Sequence, residues 1–255
     1  EQYYEQIITG QIRVSRKVKI VYEKLVKDIK KPKIIKSINE ETEEQEENTY
    51  IYDNQKALDA IEFIETFCKH SKGRKFAGKP FILELWQKAF VSAIFGFVDG
   101  ETGFRKYKKV ILFVARKNGK STLAAAIGLY MFLMDNEPGA ECYSIATKKD
   151  QAKILWLEAK RMIKKNPVLL KRVKPLIAEL YYEEEEATFK PLSNESDTLD
   201  GLNASFVAAD EVHAMKDKNL IDVTYDSMDS RDQPLFLETS TMGTVRENVF
   251  DSEYD

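Results

Sequence analysis

The stretch Val110–Met134 reads VILFVARKNGKSTLAAAIGLYMFLM and contains three successive patterns. Val110–Val114 is a short apolar run that predicts a buried strand. The polar turn ARKNGKST follows it, and the apolar run Leu123–Met134 then predicts a buried helix. At 12 residues this run is too short to cross a bilayer, which needs about 20. A strand, a glycine-containing turn and a helix in this order are typical of a phosphate-binding (Walker A) loop.

The residue types of the turn fit phosphate binding. A glycine permits a tight turn whose N–H groups point at an anion, and the following helix adds its positive dipole end. The lysine could reach the β- and γ-phosphates of ATP, and the serine hydroxyl could ligate Mg²⁺, with the next threonine as the alternative ligand. The loop departs from the full motif because Val114 occupies the place of the first glycine. The predicted nucleotide-binding residues are Arg116, Lys117, Asn118, Gly119, Lys120, Ser121 and Thr122.

A second acidic element complements this loop. The segment NASFVAADEVHA is an apolar strand that ends in Asp210–Glu211, the pattern of a Walker B strand. Asp210, at the carboxyl end of a strand beside the loop, would hold Mg²⁺, and Glu211 would orient and deprotonate the attacking water. By itself an acid pair could equally cap a helix or lie on the surface. Together with the loop it predicts nucleotide hydrolysis.

Three further features have both a functional and an ordinary interpretation. Gln87 in LELWQ could pair with N6 and N7 of adenine, or could be an exposed helix residue. Thr239–Ser240–Thr241 close another apolar strand and could sense the γ-phosphate, or could be a polar strand end. His213 follows the acid pair, and we interpret it as an ordinary loop histidine.

The order of the elements predicts the fold class. Apolar strands alternate with helices, so we expect an α/β fold with a mainly parallel central sheet and helices on both faces. We expect Asp150 to cap the helix after the strand ECYSI. Residues 1–36 look helical and basic, with ten Lys and Arg against four acids, and six glutamates follow between Glu40 and Glu47. We therefore predict an N-terminal segment and acidic linker over residues 1–48 and a core over residues 49–255.

Composition restricts the classes of function. Hydrophobic residues make up 43% of the 255 residues and charged residues 32%, which is typical of a folded domain, and a net charge of −3 does not indicate a nucleic-acid-binding protein. Two cysteines and two histidines exclude a disulfide framework and most histidine-rich metal sites, and we expect reduced, buried thiols. Three local basic stretches, Lys69–Lys79, Arg105–Lys109 and Lys160–Lys174, could contact DNA phosphates without reading sequence, although such stretches are usually solvated faces.

The chain resembles the large terminase subunit of tailed bacteriophages in an ordered set of four segments. These are LELWQ, ARKNGKST, DTLDGLNASFVAADEVHA and LETSTMGT, and the resemblance covers nearly the whole chain. It implies a P-loop NTPase fold of the ASCE type, with a small helical N-terminal or lid region. It also implies an ATP-hydrolysing motor that drives viral double-stranded DNA into the procapsid during genome packaging.

The same resemblance implies roles for individual residues. Lys120 and Ser121 would serve the phosphates and Mg²⁺, Asp210 the metal and Glu211 the water. Gln87 would read adenine, and Thr239–Thr241 would couple hydrolysis to movement. Many family members carry an arginine before the glycine that precedes the acid pair, where it completes a neighbouring subunit's site, but this chain has Asp200–Gly201. A catalytic arginine must then come from elsewhere, and the candidates are Arg116, Arg231 and Arg246.

The expected partners follow from the resemblance too. They are double-stranded DNA, the portal protein, a small terminase subunit and further copies in a ring, with a pentamer expected for the working motor. The motor would act in the host cytoplasm at the portal vertex, with no membrane. The family's nuclease domain follows the ATPase domain, and since the chain stops at Asp255 we expect the ATPase domain alone, without DNA cleavage. Two alternatives stay open: a helicase-like P-loop ATPase outside virion assembly, and a scaffold with a degenerate loop.

Overall fold

The computed structural model describes residues 1–38, 45–193, 201–215 and 218–241. These residues form two compact units. The first, here called the N-terminal unit, consists of residues 1–62 and 83–107. The second, the sheet unit, consists of residues 63–82 and of the residues from 108 onward. The predicted boundary after residue 48 stays a prediction for the domain organisation; in the described structure this residue lies within a strand.

The N-terminal unit combines helices with a three-stranded antiparallel sheet, which the described residues form in the order β1-β2-β3. Its elements are α1 (Gln2–Ile8), α2 (Arg16–Lys30), β1 (Lys33–Ile38), β2 (Gln45–Tyr52), α3 (Asn54–Phe67, which continues into the sheet unit), α4 (Leu85–Gly96) and β3 (Phe97–Asp99). The prediction of helix over residues 1–36 was right for α1 and α2 and wrong for β1. Pro32 cannot continue a helix, and the β-branched Ile34 and Ile35 after it favour a strand.

The sheet unit is built around a larger sheet. Its elements are β4 (Lys109–Phe113), α5 (Lys120–Leu133), β5 (Glu141–Ile145), α6 (Lys149–Lys165), α7 (Pro167–Arg172), β6 (Val173–Pro175), β7 (Leu180–Tyr182), β8 (Ala187–Leu192), β9 (Ala204–Asp210), α8 (Asn219–Asp226) and β10 (Leu235–Ser240). Among the described residues, seven strands pair in the order β4-β10-β9-β5-β8-β7-β6. The first five are mutually parallel, and β7 and β6 add an antiparallel edge. The predicted mainly parallel α/β fold is confirmed.

Both faces of the sheet are covered by helices. On one face α5 packs so closely that a Cβ on Gly128 would lie 2.8 Å from Phe206 and 3.1 Å from Phe189, so a side chain there would force a shift. On the other face Leu220 and Ile221 of α8 pack in a buried cluster with strand residues such as Val207. Across the part of the chain that the structure describes, no helix has both the length and the apolar character needed to cross a bilayer.

Smaller differences from the sequence prediction have local causes. Strand β8 was not predicted, because Lys190 and Pro191 interrupt its apolar pattern. Asp150 lies in the first turn of α6 and is not its cap, since the helix begins one residue earlier, after Lys148. Cys68 and Cys142 are free and fully buried, as predicted, and this burial raises the pKa of both thiols.

Candidate nucleotide site

The loop between β4 and α5 has an unusual backbone conformation. Lys117 and Gly119 have φ angles of 68° and 77°, in the left-handed region that glycine tolerates best. The Asn118 side-chain amide donates to the carbonyl of Ala115 at 3.0 Å and so closes the turn. Helix α5 begins at Lys120, and the N–H groups of its first turn have no carbonyl partners within the helix. The loop therefore offers backbone donors and a helix dipole to an anion.

The carboxyl ends of three parallel strands meet at this edge of the sheet. We predicted that the acidic strand, which is β9, lies beside the loop that follows β4. In the sheet, β10 lies between β4 and β9. Residue Thr239 of β10 is in register with Asp210 of β9 on one side and with Leu112 of β4 on the other. The Thr239–Thr241 segment consequently lies between the loop and the acid pair.

The structure brings the predicted loop and acid residues into direct contact. The Lys120 ammonium lies 2.5 Å from Asp210 Oδ1 and 2.7 Å from Glu211 Oε1. The Ser121 hydroxyl donates to Asp210 Oδ2 at 3.0 Å, and Thr122 follows it in the first turn of α5. Lys120 is only 8% exposed and the Asp210 side chain 13%, so their contact is largely shielded from water, whereas the Glu211 side chain is 37% exposed.

The end of β10 holds the acid pair from the other side. Thr239 Oγ1 donates to Asp210 Oδ1 at 2.6 Å, and Thr241 Oγ1 donates to Glu211 Oε2 at 3.2 Å. All three residues of this segment are buried, with at most 2% of any exposed. Each carboxylate thus accepts a hydrogen bond from one threonine of this strand end. The positions of both acids therefore depend on the position of the end of β10.

Glu211 itself has a strained backbone. Its φ of 56° and ψ of 49° are left-handed, a conformation that costs a non-glycine residue about 1–3 kcal/mol. It precedes a short 3-10 helix, Val212–Ala214, which turns the chain away directly after the sheet. Such strain is concentrated at functional sites.

The available donors fit a magnesium–nucleotide complex. Ser121 and Asp210 offer one hydroxyl and one carboxylate, both oxygen donors of the kind that Mg²⁺ prefers. Within the described residues no group of three or more His, Cys, Asp or Glu side chains could hold a metal ion. Mg²⁺ is usually bound by one or two protein oxygens together with substrate phosphates, which is the arrangement these two residues permit.

Sequence reasoning missed His213 as a member of this site. Its Nδ1 lies 3.2 Å from Glu211 Oε2 and 3.1 Å from Ser240 Oγ. A histidine two residues after the second acid was the available signal, but only the turn at Val212–Ala214 shows that its ring points back to the carboxylate.

Gln87 belongs to the N-terminal unit, and its role as an adenine reader stays a prediction. Contrary to the exposed alternative, the residue is buried, and only 3% of it is exposed. Its Oε1 accepts from the Glu84 N–H at 2.9 Å in a capping box at the start of α4. The local function of this glutamine is therefore to cap the helix, and its Nε2 group is not part of that bond.

The candidate arginines have different surroundings. Arg116 is exposed in the loop. Arg231 donates to the carbonyls of Asn203, Pro138 and Gly139 and to the Glu137 carboxylate, so its guanidinium ties two turns of its own chain together. Arg246 and Asp200 lie outside the described residues.

The three basic stretches differ in exposure. Arg105 is buried over the Phe95 ring, and the Lys106 ammonium contacts Asp28 at 3.8 Å. Lys109 contacts Glu238 at 3.2 Å, so three of the four cations in that stretch are engaged within their own units. In the Lys160–Lys174 stretch, Lys160 donates to the carbonyl of Leu176, and Lys174 binds Glu183 at 2.6 Å. Residues 72–79 are all exposed.

Comparison with known proteins identifies the family. Residues 85–255 match the family described as "Terminase large subunit, ATPase domain". The crystal structure of the HK97 bacteriophage large terminase has a TM-score of 0.66 and 26% identity, covering 76% of this chain and 40% of that chain. The Thermus phage P74-26 large terminase ATPase domain has a TM-score of 0.45 and 17% identity over 55% of this chain and 62% of that chain.

The chain thus spans 40% of the length of the HK97 protein. Among curated proteins, none matches it. Since the matched residues 85–255 make up more than half of the chain, the chain belongs to the family of terminase large-subunit ATPase domains.

Proposed function

We propose that this chain hydrolyses ATP with Mg²⁺ and uses the energy to move viral double-stranded DNA into a procapsid. The observation that carries this proposal is the convergence of Lys120 and Ser121 with Asp210 and Glu211 at one end of the sheet. Family membership implies the hydrolysis. Lys120 contacts both carboxylates within 2.7 Å, and Ser121 contacts Asp210 at 3.0 Å.

The chemistry assigned to each residue follows from its contacts. The ammonium of Lys120 would donate to phosphate oxygens, and Glu211 would accept the proton of the water whose oxygen attacks the γ-phosphorus as ADP leaves. Mg²⁺, held by Ser121 and Asp210, would neutralise charge on the phosphates. The loop residues Arg116–Gly119 would surround the phosphates, and Gln87 would read adenine.

Coupling and assembly complete the proposal. Thr239–Thr241 would transmit the loss of the γ-phosphate, because these residues bind both acids. Arg116 is the preferred arginine for completing a neighbouring subunit's site, since it is exposed whereas Arg231 is engaged within its own chain. The motor would be a ring, a pentamer when working, with the portal protein and a small terminase subunit as partners in the host cytoplasm at the portal vertex.

The loop Lys69–Lys79 is the DNA contact that the structure favours among the basic stretches. It carries five cations and no acid. Its base is closed by hydrogen bonds between His70 and Lys79 and between Gly78 and His70, and Ser71 donates to the Glu158 carboxylate of α6 at 2.6 Å. A tethered, exposed and uniformly basic loop suits phosphate contacts that do not read sequence.

The proposed contact of the Lys69–Lys79 loop with DNA can be tested by measuring how DNA binding depends on salt concentration. Replacing Lys72, Arg74 and Lys75 by Gln should weaken duplex binding and reduce the log–log salt slope by about 0.9 for each DNA phosphate that the variant no longer neutralises. A matched control replaces Lys164, Lys171 and Arg172, which are equally exposed. An unchanged slope in the first variant, or equally weakened binding in the control, would remove the loop from the DNA path.

The central experiment measures phosphate release by this chain with Mg–ATP, with and without linear duplex DNA. Glu211→Gln is the control for contaminating activity. We expect slow turnover that rises more than linearly with protein concentration if rings form. Strand separation of a forked duplex would favour the helicase-like alternative, and absence of ATP binding by calorimetry would favour a scaffold.

A further inference from the structure

His213 makes contacts that an ordinary loop histidine would not need. Its side chain is 15% exposed, and its ring reaches both Glu211 and the end of β10. The backbone N–H of His213 also donates to Ser240 Oγ at 3.4 Å, so main chain and ring bind the same hydroxyl.

The Nδ1 atom of His213 lies within reach of one carboxylate and one hydroxyl. An ionised carboxylate only accepts hydrogen bonds, so the tautomer with its proton on Nδ1 is the neutral form that suits the 3.2 Å contact with Glu211 Oε2. The Ser240 hydroxyl donates to the Thr241 carbonyl at 3.2 Å, which leaves its lone pairs to accept from His213. The imidazole Nδ1 therefore lies between the carboxylate and the strand end, within 3.2 Å of both.

The Glu211 carboxylate has few other restraints. Oε1 contacts Lys120 at 2.7 Å, and Oε2 contacts His213 and the Thr241 hydroxyl, both at 3.2 Å. The Glu211 side chain is 37% exposed, so packing alone does not fix it. Because Lys120 is the group that would turn to the phosphates, Oε2 is the oxygen through which the acid can stay oriented.

We propose that His213 is a positioning residue for hydrolysis: it holds the Glu211 carboxylate through Nδ1 and links it to Ser240 at the end of β10. A movement of that strand end would then reorient the base. The inference rests on the proposed role of Glu211 as the group that activates water. It assigns His213 no contact with the nucleotide.

The test compares three substitutions in this chain. His213→Ala should lower kcat by about tenfold or more, because misplacing a catalytic group is costly, while KM for ATP and nucleotide affinity stay within about twofold. His213→Asn places an amide N–H near the position of Nδ1 and should restore much of kcat. His213→Gln places its amide near Nε2 and should not. Thermal unfolding and nucleotide affinity serve as folding controls.

The outcomes decide the proposal. A kcat for His213→Ala within twofold of the unaltered chain would overturn it, as would a His213→Asn variant as slow as His213→Ala. Should the alanine variant fail to fold, equal rates for the Asn and Gln variants would overturn it, and a faster Asn variant would support it.

A double-mutant cycle tests the link to the strand. Ser240→Ala and His213→Ala should be non-additive in kcat if they act through the same contact, and additive effects would contradict the link. Glu211→Gln separates this inference from the proposed function. Full turnover by Glu211→Gln would defeat the assigned mechanism, whereas abolished turnover there with a fully active His213→Ala would defeat only the role of His213.

Discussion

The loop Ala115–Gly119 and the strand-end cluster, defined as Asp210, Glu211, His213 and Thr239–Thr241, form the two sides of the site by different means. The loop is exposed and depends on backbone conformation, with positive φ angles at Lys117 and Gly119. The cluster lies at the carboxyl ends of β9 and β10, where Thr239–Thr241 are buried and the other three residues are partly exposed, and it depends on side-chain hydrogen bonds. Changes in the loop should therefore alter nucleotide binding, and changes in the cluster should alter the rate of the chemical step.

Glu211→Gln provides the strongest test of this division. General base catalysis typically contributes 10²–10⁴-fold, so we expect kcat to fall by at least about 100-fold while ATP affinity is retained. The neutral amide keeps the size of the side chain and removes its capacity to accept a proton. Phosphate release and calorimetric ATP binding measure the two quantities, and turnover near the unaltered rate would remove Glu211 from catalysis.

Lys120→Ala tests the residue that joins the two sides. Its ammonium contacts both acids, and removing it leaves two neighbouring carboxylates without that cation, so the unfolding midpoint should also fall. We expect ATP affinity to fall by about tenfold or more, because a charge-assisted hydrogen bond to phosphate is removed. Calorimetry compares the ATP affinity of Lys120→Ala with that of Lys164→Ala, which changes an exposed lysine on α6. Equal affinity in the two variants would count against the assignment of the Ala115–Gly119 loop and Lys120 as the phosphate site.

The loop and the acid pair could be predicted because each is a local pattern of adjacent residues. The insertion of β10 between β4 and β9 could not, since the order of strands in a sheet depends on pairing between distant segments. The contact of His213 with Glu211 depends on a left-handed residue and a single 3-10 turn, for which the sequence has no glycine signal. Burial of Gln87 likewise depends on tertiary packing, which the segment LELWQ does not reveal.

Gly119→Ala tests whether backbone conformation controls binding. At φ 77° an alanine is strained by about 1–2 kcal/mol, which should lower ATP affinity by about tenfold if the loop must keep this shape. Lys120 and the cluster keep their side chains, so kcat at saturating ATP should change much less. Calorimetry and saturation kinetics separate the two effects. A Gly119→Ala variant with normal ATP affinity and reduced kcat would contradict the assignment of binding to the loop and of the chemical step to the cluster.

Thr239→Val makes the smallest change, one hydroxyl replaced by a methyl group of similar size. The hydroxyl donates to Asp210 Oδ1 at 2.6 Å from a fully buried residue. Removing a hydrogen bond to a charged group should cost about 1.5–3 kcal/mol in the free energy of unfolding. We expect kcat to fall several-fold, because Asp210 is then less firmly restrained, and ATP affinity to change little. Thr241→Val is the matched control, since its longer bond at 3.2 Å restrains Glu211 instead. If Thr239→Val lowered affinity and left kcat intact, the strand end would belong to binding, and the division between loop and cluster would be wrong.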